Sequence, residues 1–155
     1  MDPLYRLQAL QACNDLVNDY ANLLDDYNYT DFLKLWADEG ELLMLGARHQ
    51  GIEAIKRWLD GRERAMICRH LVTNISTRIL SETSAEGRCY TLAFRSPNSE
   101  NSPPGVLGTP TFLVTYKNEF TRDEHRGWLF ARREVRADLV GPEQMRALYL
   151  KLLEV

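Results

Sequence analysis

An aspartate and a histidine, Asp25 in YANLLDDYNYTDFLKLWADEGEL and His70 in CRHLVTNI, are the residues of this chain best suited to chemistry. A carboxylate and an imidazole can move a proton near neutral pH without a metal, once a fold brings them within hydrogen-bond reach. Asp25 would accept the proton of one ring nitrogen and fix the tautomer, leaving the other nitrogen to take a proton alpha to a substrate carbonyl. The protonated ring could then protonate a departing hydroxyl, which completes a dehydration. Returning the proton to another carbon is an isomerisation, and attack of the carbanion on an internal carbonyl is a cyclisation. An oxyanion stabiliser is still required; Tyr20, Tyr27 and Tyr90 offer hydroxyls and Asn74 an amide, while Trp58 is a candidate for the pocket wall.

The other reactive side chains point elsewhere. His49 falls in a turn and His125 in a charged connection, and neither has a short His-x-His or His-x-x-x-His spacing to His70, so no metal is expected. There is no Gly-x-Ser-x-Gly elbow, phosphate loop or dinucleotide fingerprint, and no cofactor is expected. Arg132, Arg133 and Arg136 form the most basic stretch, but Glu134 and Asp138 interleave with them, which predicts cross-strand ion pairs rather than a phosphate site.

The elements that must position these residues can be read from periodicity. Leu7, Leu10, Cys13, Val17, Tyr20, Leu24 and Tyr27 recur at three- and four-residue steps, one face of a long amphipathic helix. On that helix Asp25 falls on the flank, in line with Asn14 and Asn18, a position that periodicity assigns to solvent. A second helix is expected from about Asp31 to Asp38, capped by Thr30 and stopped by Gly40, followed by a strand at ELLMLG. A third helix, IEAIKRWLD, ends at Gly61. The period then changes to two, with strands expected over Ala65 to Leu80, Arg88 to Arg95, Thr109 to Phe120 and Gly127 to Asp138. SPNSENSPPGVLG makes a long Pro- and Gly-rich loop, and a short helix from Pro142 to Leu153 closes the chain.

Helices first and long antiparallel strands afterwards imply an α+β fold with helices packed on one face of a curved sheet. In the first long strand Met66, Cys68, His70 and Val72 share one face and Ile67, Leu71, Ile75 and Ile79 the other, so neither is plainly a water face. A homodimer through the outer face of the sheet would bury the surplus. At 155 residues, 45% of them hydrophobic, the chain has the composition of a single domain, 1–155. A net charge of -3 gives no reason to bind nucleic acid or anionic membranes, and no segment is apolar enough to span a bilayer. The N-terminus lacks the order of a secretion signal, and the three cysteines lack metal-site spacing; reduced thiols in a cytoplasmic protein are the economical reading.

The order YANLLDDYNYTDFLKLWADEGEL, HQGIEAIKRWL, CRHLVTNI and GWLFARREV resembles the SnoaL-like branch of the nuclear-transport-factor-2-like superfamily over nearly the whole chain. The resemblance implies a cone-shaped α+β barrel whose curved sheet wraps around N-terminal helices and leaves a pocket at its open end, often with dimerisation through the sheet. Within the superfamily the scytalone dehydratases place an acid at the end of the first helix and a histidine on the first long strand, matched here by Asp25 and His70. A second histidine of that pattern matches Tyr90, and a tyrosine of the first short strand falls near Leu43 or Met44. The resemblance thus implies a cofactor-free dehydratase-like lyase or isomerase acting on a small hydrophobic cyclic carbonyl compound, with scytalone itself disfavoured. Two other readings on this fold are a polyketide-cyclase-like enzyme and a non-catalytic module such as the small subunit of a ring-hydroxylating dioxygenase. Arg133 matches an arginine that commonly follows the tryptophan in this branch, where the expected role is structural.

Overall fold

The computed structural model describes residues 1–97 and 103–142. Three helices, α1 (Pro3–Asp25), α2 (Tyr29–Lys34) and α3 (Ile52–Asp60), pack against strands β1 (Trp36–Met44), β2 (Ala47–Gln50), β3 (Met66–Ile79), β4 (Ser84–Pro97), β5 (Phe112–Asp123) and β6 (Gly127–Val140). The strands form one six-stranded sheet in the order β2-β1-β6-β5-β4-β3. All neighbours are antiparallel except β1 and β6, which run parallel, so the sheet is mixed; it curves around the helices without closing. No helix among the described residues is long and apolar enough to cross a membrane.

Helix α1 begins where Asp2 caps it, its carboxylate accepting from the Leu4 and Tyr5 amides with Pro3 in the first turn. Its stripe buries Cys13, Val17, Tyr20 and Leu24 in the core, whereas Leu7, expected on the same face, is 64% exposed because the buried face runs through Tyr5 and Ala9 instead. Helix α3 ends at Gly61 as its sequence predicts, and places Ile55 and Leu59 inward.

Two expectations are corrected. Helix α2 is capped by Asn28 rather than Thr30: the Asn28 side chain accepts from the Asp31 amide at 3.2 Å and donates to the Asp31 carboxylate at 2.8 Å. The helix stops at Lys34, and residues 36–40 belong to β1. Gly40 is no helix stop; a Cβ there would meet the Ala37 carbonyl at 2.9 Å and the Phe130 carbonyl at 3.1 Å, so its smallness lets β1 press onto β6. The closing helix expected from Pro142 to Leu153 lies almost wholly outside the described residues.

The second correction concerns β3. Its pairing with β4 is regular from Met66 to Thr73, shifts between Thr73 and Ser76, and resumes to Ile79; within the shift Asn74 has φ +53°. This bulge inserts a residue and exchanges the faces. Met66, Cys68, His70 and Val72 face the helices before it, and Ile75, Thr77 and Ile79 face them after it. Ile75 and Ile79 are therefore core residues, and the apparent surplus on the opposite face shrinks to Ile67 and Leu71. Gly87 faces the bulge's exit, where a Cβ would come 3.0 Å from the Ser76 carbonyl.

Candidate active site

The polar flank of α1 that periodicity sends to solvent is in fact its seam with β3. Asn14 accepts from the Thr77 hydroxyl at 2.8 Å, and three turns later Asp25, the last residue of the helix, meets His70. Asp25 Oδ1 lies 2.5 Å from His70 Nδ1, and Oδ2 accepts from the His70 backbone amide at 2.7 Å. Both side chains are 7% exposed. One carboxylate thus holds the ring and the backbone of the same residue, which fixes the imidazole's orientation and leaves Nε2 without a hydrogen bond among the described residues.

The electrostatics of the pair follow from two opposed effects. Burial pulls the His70 pKa down, but the hydrogen bond to Asp25, aided by Cys68 and by the carboxylate charge, outweighs it and carries the imidazole up to about 9. At neutral pH the resting imidazole is therefore protonated. The carbonyls ending α1 favour that cation too. Cys68 Sγ stands 3.9 Å from Nδ1, and Asp25, Cys68 and His70 are the donors that could be offered to a metal, their atoms lying within 4.8 Å of one another.

His70 opens onto a cavity of about 200 Å³ lined also by Leu24, Met44, Leu45, Trp58, Arg62, Ala93, Arg95, Phe112, Val114, Tyr116 and Val135. The elements assemble it from opposite ends: α1 and α3 bring Leu24 and Trp58, the end of β1 and the turn after it bring Met44 and Leu45, the α3–β3 connection brings Arg62, and the inward positions of β3 to β6 supply the rest. Trp58 is on this wall, and so is Met44, one of the two positions near which the resemblance looks for a tyrosine.

The other expected contacts lie elsewhere. Tyr20 is fully buried one ring behind the wall, its ring 5.8 Å from that of Tyr116 and 4.7 Å from that of Phe32. Tyr90 sits on the outer face, because register pairs it with Thr73 and puts its neighbours Cys89 and Thr91 inside; its hydroxyl accepts from Arg88 at 2.7 Å. Asn74 is exposed on the bulge, accepting from the Thr73 hydroxyl at 2.9 Å. The Tyr27 hydroxyl donates to the Met66 carbonyl at 2.5 Å. His49 lies on β2 rather than in a turn, half-buried with its ring 6.1 Å from Trp58, and burial holds its pKa below the usual imidazole range.

Three arginines that the sequence reading did not place at the site lie in or behind its wall. Arg62 and Arg95 line the cavity directly. Arg133 is wholly buried behind Tyr116: its Nε donates to Asn118 Oδ1 at 2.7 Å, both terminal nitrogens lack partners among the described residues, and its guanidinium lies 4.0, 4.2 and 4.6 Å from the ring centroids of Tyr20, Phe130 and Tyr116. This corrects the expected cross-strand ion pair at Arg133. Alternation was the available signal, since it separates Arg133 from Arg132 and from the Arg136–Asp138 pair on the other face.

A curved mixed sheet wrapped around N-terminal helices, with a small cavity at the helix ends, defines the cone-like α+β class. Within it, residues 5–134 match the model of the SnoaL-like domain, and the chain belongs to that family. No curated protein matches the sequence. Among solved structures, the chain is similar to a candidate scytalone dehydratase from Novosphingobium aromaticivorans, with 22% identity and a TM-score of 0.73 over 88% of this chain and 89% of that one. It is similar to the hexachlorocyclohexane dehydrochlorinase LinA-type3 from Novosphingobium barchaimii, with 21% identity and a TM-score of 0.76 over 91% and 94%. An NTF2-like protein with a cystatin-like fold from N. aromaticivorans shares 26% identity, with a TM-score of 0.72 over 92% and 89%. These likenesses show the shared fold.

Proposed function

We infer that the chain is a cofactor-free lyase or isomerase, a dehydratase in the first instance, acting on a small cyclic carbonyl compound. The observation that carries this reading is the buried Asp25–His70 pair opening on an otherwise mostly apolar cavity. Two of the similar structures carry names of elimination catalysts, which fits it. Asp25 holds Nδ1 and Nε2 serves as the base; after abstraction of the proton alpha to the carbonyl, the imidazolium protonates the leaving hydroxyl. Because the resting ring is protonated, the reactive form is the neutral minority, and kcat/KM should rise about tenfold per pH unit from neutrality and level off near 9. The test is exchange of alpha protons of a cyclic β-hydroxyketone with D2O, and its elimination, followed by NMR. His70→Asn, whose amide can still donate to Asp25, should lose about a thousandfold in rate while its circular dichroism stays native. An unaltered rate in this folded variant sinks the reading, and a wild type that accelerates neither process favours the alternative, a binding or assembly module.

We propose in addition that the chain self-associates through the outer face of its sheet. Leu71, Leu92, Leu113 and Leu139 are register partners in a straight row across β3, β4, β5 and β6 on the outer face, with Leu71 and Leu139 58% and 65% exposed. A second copy covering that row explains it. Leu71→Lys with Leu139→Lys should convert an oligomer into a monomer in sedimentation velocity; a wild type already monomeric at high concentration rejects the interface.

A further inference from the structure

The cavity lining carries three cationic or cation-forming side chains, Arg62, Arg95 and His70, and no acidic one. The charge of His70 is matched by Asp25, both of whose oxygens are engaged with it. The two arginines have no such match: among the described residues neither makes an ion pair. Arg62 is held in place by neutral groups, its Nη1 donating to the Leu24 carbonyl at 3.3 Å and the Tyr29 hydroxyl at 3.0 Å, with its guanidinium 5.8 Å from the centroid of Trp58 on the same wall. Arg95 lies 5.5 Å from the ring centroid of Phe112, another wall residue, and is exposed at the mouth. The same two arginines line an adjoining outer recess of about 130 Å³, so they stand between the cavity and the surface; the acid of that recess, Glu63, is exposed.

A chain of net charge -3 thus surrounds its cavity with two uncompensated cations, and Arg133 adds a third behind Tyr116. Guanidinium groups fixed by aromatic faces and carbonyls keep free donor edges, which suit a carboxylate. A cavity of about 200 Å³ lies below the roughly 300–1,000 Å³ usual for drug-sized ligands, which limits the guest to a single small ring.

We propose that the ligand of this site is a monocyclic carboxylic acid, bound as its anion with the carboxylate between Arg62 and Arg95 at the mouth and the ring turned inward toward His70. The proposal narrows the substrate class of the reading above and rests on that reading for the reaction, though the binding it describes does not require turnover. It also replaces the neutral hydrophobic guest expected from the fold resemblance by a charged one. The two arginines then act as specificity residues, binding a ring that carries a carboxylate more tightly than its ester or amide.

Titration calorimetry of the full chain at pH 7 tests this with benzoate and with benzamide, a neutral probe of the same shape. Benzoate should bind at least about tenfold more tightly than benzamide, and more weakly as salt is raised. Arg95→Gln, at an exposed position, and Arg62→Gln should each weaken benzoate about tenfold, and the double variant should bind the two probes alike. Equal affinities for the two probes in the wild type, no binding of benzoate, or a benzoate affinity indifferent to both substitutions overturns the proposal. His70→Asn separates the two readings: it should abolish turnover yet keep the preference for benzoate. Loss of the preference in that variant, with Arg62 and Arg95 intact, would place the anion on His70 and overturn the assignment to the arginines.

Discussion

Arg132 and Arg133 are adjacent in the chain and opposite in circumstance. Arg132 points outward, one-third exposed, with Glu41 at 3.1 Å and Glu119 and Glu134 both at 3.6 Å. Arg133 points inward, fully buried, with one hydrogen bond to an amide, three aromatic faces and no carboxylate. The outer face of the sheet neutralises this charge locally, as it does for Arg78 with Glu86 and Arg48 with Glu41. On the inner face the arginines have no acid partner among the described residues, and the carboxylate that α1 brings there, Asp25, is engaged with His70. A buried cation is costly to hold without a counter-charge, so this arrangement agrees with the anionic guest proposed above.

The widest break in this comparison would come from truncating each arginine. Arg133→Ala should cost about 3–5 kcal/mol in urea unfolding, because it empties a slot between three rings and leaves Asn118 Oδ1 buried without a donor. Arg132→Ala should cost about 1 kcal/mol or less, since an exposed network is screened by solvent and salt. Equal costs would dissolve the contrast.

A somewhat smaller effect should come from the inner face's one matched cation. His70 titrates near 9 in the folded chain and near its ordinary value when unfolded, so the pair stabilises fully below about pH 6.5. That contribution, at most about 3 kcal/mol, should fade as pH rises through 9. Stability measured from pH 6 to 9.5 should fall in the wild type and stay flatter in His70→Asn, which shares the chain's other titrating groups. Parallel curves would mean that the pair adds nothing to stability.

Much of the fold was legible because it is written in periodicity: the α1 stripe, α3 with Gly61 behind it, and the long strands. Residues 36–40 were misread because Trp36 and Gly40 fit a helix end as well as a strand pressed onto its neighbour, and only the Phe130 pairing decides between them. The site was half legible. Asp25 and His70 were identified through resemblance, against the helical angle, since local pattern cannot tell a solvent flank from a flank covered by a strand. Tyr90 and Asn74 were lost to register, one by the parity of β4 and the other by the β3 bulge. Arg62 and Arg95 were passed over because an arginine without an acid can be recognised only once its neighbours in space are known.

The bulge at Thr73–Ser76 gives β3 two phases. Even-numbered residues face the helices before it and odd-numbered ones after it, so the strand is in effect two short strands spliced half a repeat apart. Such a splice makes the gene more sensitive to length than to spelling. Deleting Asn74 would move Ile75, Thr77 and Ile79 into the phase of His70, so all would still face the helices, whereas adding a residue there would turn Thr77 and Ile79 to water while His70 stayed in the cavity. Insertions in descendants of this sequence are therefore expected to avoid these few residues, even where their identities drift, while loss of one residue is tolerated.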